Sequence, residues 1–239
     1  MPESAAGAPL VLASVSPRRQ VLLRRAGVRF RVVNPGEDPA LPHLEDWPAA
    51  CLRAAHKAAR GAVARPGRVA LGADTVVVYG RHTLGKPRDG EDAERMLEML
   101  SGAEHFVYTA FCLALGSTGF QACVRRRARN AGLEACATRK GGRARKPAPR
   151  GGVRMLWLEV VRTRVRFRGL GPEEICDYVA SGAPFDKAGG YGIQDRGAGL
   201  VEQIAGSYYN VVGLPVREVG AALRRVGWHG SAGARGRAA

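Results

Sequence analysis

LVLASVSPRR, from Leu10 to Arg19, predicts how this chain begins to fold. Residues 10–13 are apolar and indicate a short buried strand. Ser16 and Pro17 then indicate the start of a helix, because serine caps free amides and proline suits the first helical position. We expect this helix to run to about Ala26, so that a strand, a short turn and a helix follow one another directly.

Two cations, Arg18 and Arg19, stand in the first turn of this helix, where the helix dipole favours carboxylates. The helix predicted to begin at Pro172 follows that preference, with Glu173 and Glu174 in its first turn. The free amides at a helix start lie beyond the end of the preceding strand, and an anion there would be held by amides and both guanidinium groups. The alternative is that both arginines simply face water.

Apolar periodicity predicts further strands and helices that alternate along the chain. Strands are expected at residues 29–33, 69–73, 76–79, 106–115 and 161–168, and helices at residues 46–64, 91–100, 172–180 and 215–226. Strict alternation from Val161 to Phe167 predicts one buried face and one wet, arginine-rich face. Interleaved strands and helices predict an α/β or mixed α+β fold.

The positive charge of the chain is concentrated in one segment. The formal net charge is +16, and residues 117–158 contain eleven lysines and arginines against one acid, Glu134. This basic block could neutralise nucleic-acid phosphates, but residues 121–156 contain no Phe, Trp or Tyr to stack on bases. We therefore expect one domain over residues 1–230, with a disordered insertion at about residues 117–152 and a flexible tail at residues 231–239.

Composition excludes several classes of protein. With 46% apolar and 24% charged residues among 239, the chain is ordinary for a soluble globular protein. The apolar run at residues 8–13 is too short and wrongly flanked for a signal peptide or membrane segment. Five cysteines without a CxxC pair suggest neither a disulfide framework nor a zinc site, and a cytoplasmic protein is expected.

Three motifs contain candidate site residues. Asp74 lies between apolar runs in VALGADTVVV, where a buried carboxylate needs a metal, a cation or hydrogen bonds. GRHTLGKP approaches a phosphate loop, but Pro87 offers neither a hydroxyl nor an amide hydrogen, so Lys86 is a phosphate contact or a turn lysine. PFDKAGGYGIQ places Asp186 and Lys187 beside glycines that let backbone approach a ligand, although a structural loop with a salt bridge is an alternative.

Taken in order, the motifs resemble those of the Maf family of nucleotide pyrophosphatases. They are SxSPRR, GADT, LGKP, MLEMLSGAEHFVYT, DKAGGYGIQ and YYNVVGLP. The resemblance implies a Maf/ITPase-like fold, with a central twisted mixed sheet and a cleft between two lobes. It also implies a homodimer, a divalent cation (Mg²⁺ or Mn²⁺) and hydrolysis of a nucleoside triphosphate to the monophosphate and pyrophosphate. GADT with GIQ is similar to the branch that acts on dTTP and UTP.

The same resemblance implies a role for each matching residue. Asp74 would be the catalytic acid, as a metal ligand or as the base for the attacking water. The phosphates would be bound by Ser14, Arg18, Arg19, Lys57 and Lys86. Base choice would depend on Arg18, Thr75 and Gln194, and Asp186 and Lys187 would belong to the substrate-binding loop.

The chain departs from the family pattern at two places. Where the family carries an acid after the second strand, this chain has Pro39, which cannot bind a metal, and Asp38 would take that role through a shift of one residue. The basic block is the second departure. Beside a nucleotide pyrophosphatase, the alternatives are therefore a nucleotide-binding regulator without catalysis and a nucleic-acid-binding protein that uses the basic block.

Overall fold

The computed structural model of the chain describes residues 8–41, 46–117 and 152–229. The strands of this part are β1 (Leu10–Leu12), β2 (Phe30–Val32), β3 (Val69–Tyr79), β4 (His82–Leu84), β5 (Glu104–Gly116), β6 (Val153–Phe167) and β7 (Val201–Ala205). The helices are α1 (Pro17–Arg25), α2 (Asp46–Ala64), α3 (Gly90–Leu100), α4 (Pro172–Ala180), α5 (Tyr208–Val212) and α6 (Val216–Arg225), with 3₁₀ turns at Ala188–Gly190 and Asp195–Leu200. The mixed α/β class is confirmed. Over these ranges no helix is long and apolar enough to cross a membrane.

All seven strands form one mixed sheet in the order β2-β1-β3-β5-β6-β7, with β4 attached to β3. Strand β1 is parallel to β2 and β3, and the other pairs are antiparallel. The expected interruption of the strand at Asp74 and Thr75 is wrong. Strand β3 is continuous, because its ladder with β5 runs without a break from Val69 to Val78.

One edge of β3 is open in its middle, and this opening forms the floor of a cleft. Strand β5 covers the other edge along its length. On the open side, β1 pairs with Ala70 and Leu71, whereas β4 pairs with residues 77–79. Within the described residues no strand pairs with residues 72–76 on this edge. Asp74 and Thr75 therefore lie at an edge without a partner strand in the described part of the chain, between the parts of β3 that pair with β1 and with β4.

Helix α2 covers one face of the sheet at very short range. Its buried stripe is Ala50, Ala54, Ala58 and Ala62. A Cβ atom at Gly72 of β3 would lie 2.3 Å from the carbonyl oxygen of Ala54 and 2.4 Å from the amide nitrogen of Ala58. Alanine and glycine thus allow the helix backbone to touch the strand. Because strand side chains alternate, Asp74 faces the same helix as Gly72.

The opposite face carries two apolar cores that correspond to two lobes. The first core contains Leu12, Leu23, Phe111 and Leu223 and lies under α1 and α6. The second lies under α3 and α4, and its buried members include Met96, Leu97, Val107, Val165, Phe167 and Ile175.

A hydrogen-bonded polar band separates the two cores. Thr109 donates to the carbonyl oxygen of Asn210 at 3.0 Å, and the Asn210 amide donates to the Val107 carbonyl and the Thr163 hydroxyl, each at 3.0 Å. Thr75 shares a hydrogen bond of 2.9 Å with Thr109. Because most of these polar groups hydrogen-bond to one another, the cost of placing the band within the sheet face is reduced. The Asn210 Oδ1 atom is buried and has no partner among the described residues.

The strand that contains Val161–Phe167 is longer than predicted, but its alternation is confirmed. Thr163, Val165 and Phe167 are buried, and the arginines between them are exposed. Strand β6 begins at Val153 because it pairs with β5 as far as Gly116. The Ser117 amide donates to the Gly152 carbonyl at 3.1 Å, so these two residues close the described part of the hairpin. The rest of the predicted insertion, residues 118–151, lies outside the described residues, as does the whole of the predicted tail, residues 231–239.

The GRHTLGKP segment forms a β-hairpin turn and not a phosphate loop. Gly80, with φ of 59°, stands at the turn between β3 and β4. Helix α3 begins at Gly90, after Asp89 accepts a hydrogen bond from the Asp92 amide at the helix start. The helix start is therefore not joined to the glycine turn, as it would be in a phosphate loop.

We predict that Gly72→Ala destabilises the fold by about 1–3 kcal/mol, because the new methyl group would collide with the backbone of α2 and push the helix from the sheet. Gly169→Ala is the matched control, since a Cβ atom there would meet no atom within 4 Å. Urea unfolding of both variants measures the difference. Equal midpoints for Gly72→Ala and the wild type would show that the close helix–strand contact is not a constraint.

Candidate active site

The turn before α1 is organised by Ser14 and not by Ser16. The expected Ser16 cap is wrong: its side chain caps no amide, and its own amide donates to the Ser14 hydroxyl oxygen at 3.3 Å. Helix α1 has no acid in its first turn, whereas α4 has Glu173 and Glu174 there. The start of α1 thus lacks both a side-chain cap and a compensating negative charge.

Arg19 binds three separate segments of the chain. Its guanidinium group donates to the Gly213 carbonyl at 2.9 Å, the Ser14 hydroxyl at 3.2 Å and the Thr75 hydroxyl at 3.2 Å. Burial lowers the pKa of Arg19, while the negative charge of nearby Asp74 opposes that shift. The alternative in which Arg19 simply faces water is therefore wrong. Arg19 connects α1 and the turn before it with the middle of β3 and with the turn between α5 and α6.

Arg18 points to the glycine-rich loop on the other side of the cleft. It donates to the Asp186 carboxylate at 2.6 Å and to the Asp186 backbone carbonyl at 3.2 Å. Lys187 also donates to this carboxylate, at 2.5 Å. Burial alone would raise the pKa of Asp186, but the hydrogen bonds from Lys187 and Arg18 lower it. Since the Arg18 and Asp186 side chains are 28% and 59% exposed, a stronger anionic ligand can compete for Arg18.

Asp74 lies between two cations of α2. Lys57 Nζ donates to Asp74 Oδ1 and Arg53 Nε donates to Asp74 Oδ2, both at 2.7 Å. Lys57 also forms an ion pair of 3.0 Å with Asp38. Asp74 and Lys57 are 13% and 11% exposed, so this carboxylate is paired in a largely buried place. A metal, a cation or hydrogen bonds were expected as partners of Asp74, and in the structure two cations hydrogen-bond to it.

The glycine-rich loop is fixed from behind by a buried hydrogen bond. His105 Nε2 and the Tyr191 hydroxyl lie 2.7 Å apart, and both rings pack edge to face against Phe167. The Gly189 amide donates to the Gly85 carbonyl at 2.8 Å, which joins this loop to the LGKP turn. Gly189 and Gly190 have φ of 73° and 69°, a conformation that favours glycine.

A cavity of about 460 Å³ lies beside this loop. It is lined by Tyr178, Ser181, Ala183, Lys187, Gln194, Arg196 and Gly197. The Tyr178 hydroxyl accepts a hydrogen bond from the Gly192 amide at 3.2 Å, which holds the loop against α4. The cavity thus combines one aromatic side chain with amide and cationic groups, and its volume lies in the range of small-molecule sites.

The family model described as Maf-like protein matches residues 9–140 and 142–226 of the chain. This chain belongs to the Maf family. The dTTP/UTP pyrophosphatase of Geobacter sp. (strain M21) is 42% identical over 226 residues, which cover 91% of this chain and 95% of the relative. The dTTP/UTP pyrophosphatases of Anaeromyxobacter dehalogenans (strain 2CP-C) and Geobacillus sp. (strain WCH70) are 43% and 37% identical, each over 92% of this chain and over 94% and 98% of their own lengths.

The structure of this Maf chain brings most of the predicted site residues to one cleft. Asp74, Lys57 and Asp38 form one group, and Ser14, Arg19 and Thr75 form another. A third group joins Arg18 to Asp186 and Lys187, and Gln194 shares a cavity with Lys187. Lys86 is exposed, and no contact in the described residues joins it to these groups.

Arg53 is the site residue that sequence reasoning missed. It stands one helical turn before Lys57 on α2, so both side chains can reach the same carboxylate. The spacing Arg53-x-x-x-Lys57 was visible in the sequence. Its significance depended on which strand residue faces this side of the helix, and that was not visible.

The carboxylates of this Maf chain fit a divalent cation only together with other ligands. Among the described residues, no group of three or more His, Cys, Asp and Glu comes together that could hold a metal ion. Asp38 and Asp74 do approach one another, because both are paired with Lys57. Proteins commonly hold Mg²⁺ by one or two carboxylates, with substrate phosphates and water as the remaining ligands. A carboxylate pair beside a phosphate site fits this arrangement.

We predict that Arg19→Lys destabilises the protein by about 1–3 kcal/mol, because lysine keeps the charge but cannot make the three hydrogen bonds of the guanidinium group. Arg18→Lys is the matched control: it also keeps the charge at the helix start, and its exposed ion pair is worth at most about 1 kcal/mol. Urea unfolding compares the two variants. Equal losses would show that Arg19 does not connect the three segments.

Low pH should weaken the hydrogen bond between His105 and Tyr191 that holds the glycine-rich loop. Burial lowers the pKa of His105 to about 4 from its ordinary value of 6.5, so the unfolded chain binds the proton more readily than the folded chain. The contribution of His105 to the free energy of unfolding is then constant above about pH 6.5 and falls as the pH drops toward 4, by on the order of 3 kcal/mol.

The variant His105→Gln isolates this effect, because glutamine can bond to the Tyr191 hydroxyl but does not titrate. We expect its free energy of unfolding to fall less than that of the wild type between pH 7 and pH 4. Chemical denaturation at each pH measures both. If the free energies of unfolding of the two proteins fall in parallel with pH, groups other than His105 cause the acid sensitivity.

Proposed function

We propose that this chain is a nucleoside triphosphate pyrophosphatase that hydrolyses dTTP and UTP to the nucleoside monophosphate and pyrophosphate. The observation that carries this proposal is the carboxylate of Asp74 at the open edge of β3, which is paired with the cations of Lys57 and Arg53. The next residue, Thr75, accepts a hydrogen bond from Arg19, and Arg18 stands beside Arg19 in the first turn of α1. The names of relatives aligned over almost the whole chain support the choice of substrate.

The arrangement suits cleavage of a phosphoanhydride bond. This reaction needs several negative charges to be offset and a water molecule to be aligned, with little covalent help from the protein. Lys57 supplies positive charge at Asp74, and Arg18 with the amides at the start of α1 supplies further positive charge and donors. Asp74 accepts the proton of the attacking water, and its two ion pairs fix the direction of its free lone pairs.

The remaining groups divide between phosphate and base. Arg19 is held by Ser14, Thr75 and Gly213, so it offers only its remaining N–H groups to a phosphate, and Thr75 acts by orienting Arg19. The cavity with Gln194 and Lys187 is the place for the nucleoside. Lys86 adds a cation from the hairpin turn when the substrate bridges the cleft.

A divalent cation, Mg²⁺ or Mn²⁺, is part of the proposal and would be held by Asp74 and Asp38. When bound, it would screen the phosphate charge and favour a nucleophilic water. Asp38 reaches Lys57 although Pro39 stands at the family's acid position, so this chain keeps an acid at the cluster. A homodimer and a cytoplasmic location belong to the same proposal.

A panel of nucleoside triphosphates with Mg²⁺ or Mn²⁺, read out as pyrophosphate, tests the proposal. We expect release from dTTP and UTP above that from the purine nucleotides. Binding of UTP without any pyrophosphate would favour a catalytically silent regulator. Salt-sensitive RNA or DNA binding without nucleotide turnover, lost when residues 117–152 are deleted, would favour the nucleic-acid alternative.

We predict that Asp74→Asn lowers kcat for UTP by about 10²–10⁴-fold, because the amide cannot accept the water proton. Asp177→Asn, the same change at an exposed position of α4, is the matched control and should keep full activity. Circular dichroism and calorimetric titration with UTP show whether the Asp74 variant folds and binds. Wild-type pyrophosphate release by folded Asp74→Asn would remove Asp74 from the reaction.

A further inference from the structure

Each oxygen of the Asp74 carboxylate is bound by a different cation. Lys57 Nζ contacts Oδ1 and Arg53 Nε contacts Oδ2, both at 2.7 Å. The Arg53 side chain is 22% exposed, so its bond to Asp74 is partly shielded from water. Two donors on opposite oxygens fix the rotation of the carboxylate plane, which a single donor would leave free.

The backbone supports this arrangement. Arg53 and Lys57 project from the same side of α2, one turn apart, and Ala54 and Ala58 beside them are fully buried against the sheet. Gly72 brings the helix backbone into contact with β3 two residues before Asp74. The two cations therefore reach Asp74 from a helix that is packed directly against the strand. The carboxylate is held by a helix and not by a loop.

We propose that Arg53 is a positioning residue for Asp74. By holding Oδ2, it directs the remaining lone pairs of the carboxylate into the cleft, where the attacking water must lie. Arg53 acts through Asp74 and not on the substrate. The inference rests on the proposed pyrophosphatase function and adds to it the residue that orients the base.

This role has a distinct kinetic signature. A base that is misdirected slows the chemical step, and displacement by about 1 Å can cost on the order of 10²-fold in rate. Substrate binding is left unchanged if Arg53 touches no phosphate. A residue that binds the triphosphate would instead raise KM when it is removed.

The test is steady-state hydrolysis of UTP by Arg53→Met, which keeps the length of the side chain but removes the hydrogen bonds. We expect kcat to fall about 10–100-fold, KM to change less than threefold and the melting temperature to stay close to that of the wild type. Arg95→Met is the matched control, because Arg95 forms a similar bond of 2.5 Å with Asp92 on α3, away from the cleft. It should leave both kcat and KM unchanged.

Chemical rescue separates positioning from folding. Methylguanidinium should restore part of kcat to Arg53→Ala, whereas sodium chloride at the same ionic strength should not. It should restore nothing to Asp74→Asn. Unchanged kcat in folded Arg53→Met, a rise in KM alone, or absence of rescue would each overturn the role of Arg53. If wild-type protein itself releases no pyrophosphate from any nucleotide, the proposed function fails instead.

Discussion

The ion pairs between Asp74 and the two cations of α2 are the interaction on which the rest of the site depends. A carboxylate in the middle of a long central strand is costly unless it is paired. Here the pairing requires the helix to touch the strand, and the helix can do so because Gly72 has no side chain and the facing helix residues are alanines. The same contact that packs one face of the sheet therefore builds the charged cluster of the cleft.

The two arginines at the start of α1 are explained by contacts and not by helix stability. Arg19 joins three segments around β3, and Arg18 reaches across to Asp186. Both positions oppose the helix dipole, yet their partners are carbonyl, hydroxyl and carboxylate oxygens, most of them from distant parts of the chain. The amides at the start of α1 and the two arginines together suit an anionic ligand. Among the described residues, only the Asp186 carboxylate forms an ion pair with this pair of arginines.

The sequence predicted the elements that depend on a local pattern of residues. It did not predict the contacts that depend on segments far apart in the chain. The long helices and the buried face of β6 followed from periodicity, and Asp74 was identifiable as a lone acid in an apolar run. The strands β4 and β7 were not predicted, because their sequences, HTL and VEQIA, show neither an apolar run nor strict alternation. Arg53 and the role of Ser14 depend on which segments meet at β3, and that is determined by the sheet order and by Gly72.

The most direct test of Asp74 as the catalytic base is a crystal structure of the protein with Mn²⁺ and a UTP analogue whose α,β-bridge cannot be hydrolysed. We expect the α-phosphate to lie beside Asp74 at the open edge of β3, with the triphosphate contacting Arg18 and Lys57. An analogue bound elsewhere, with Asp74 still enclosed by Arg53 and Lys57 and no phosphate near it, would contradict a catalytic role for Asp74.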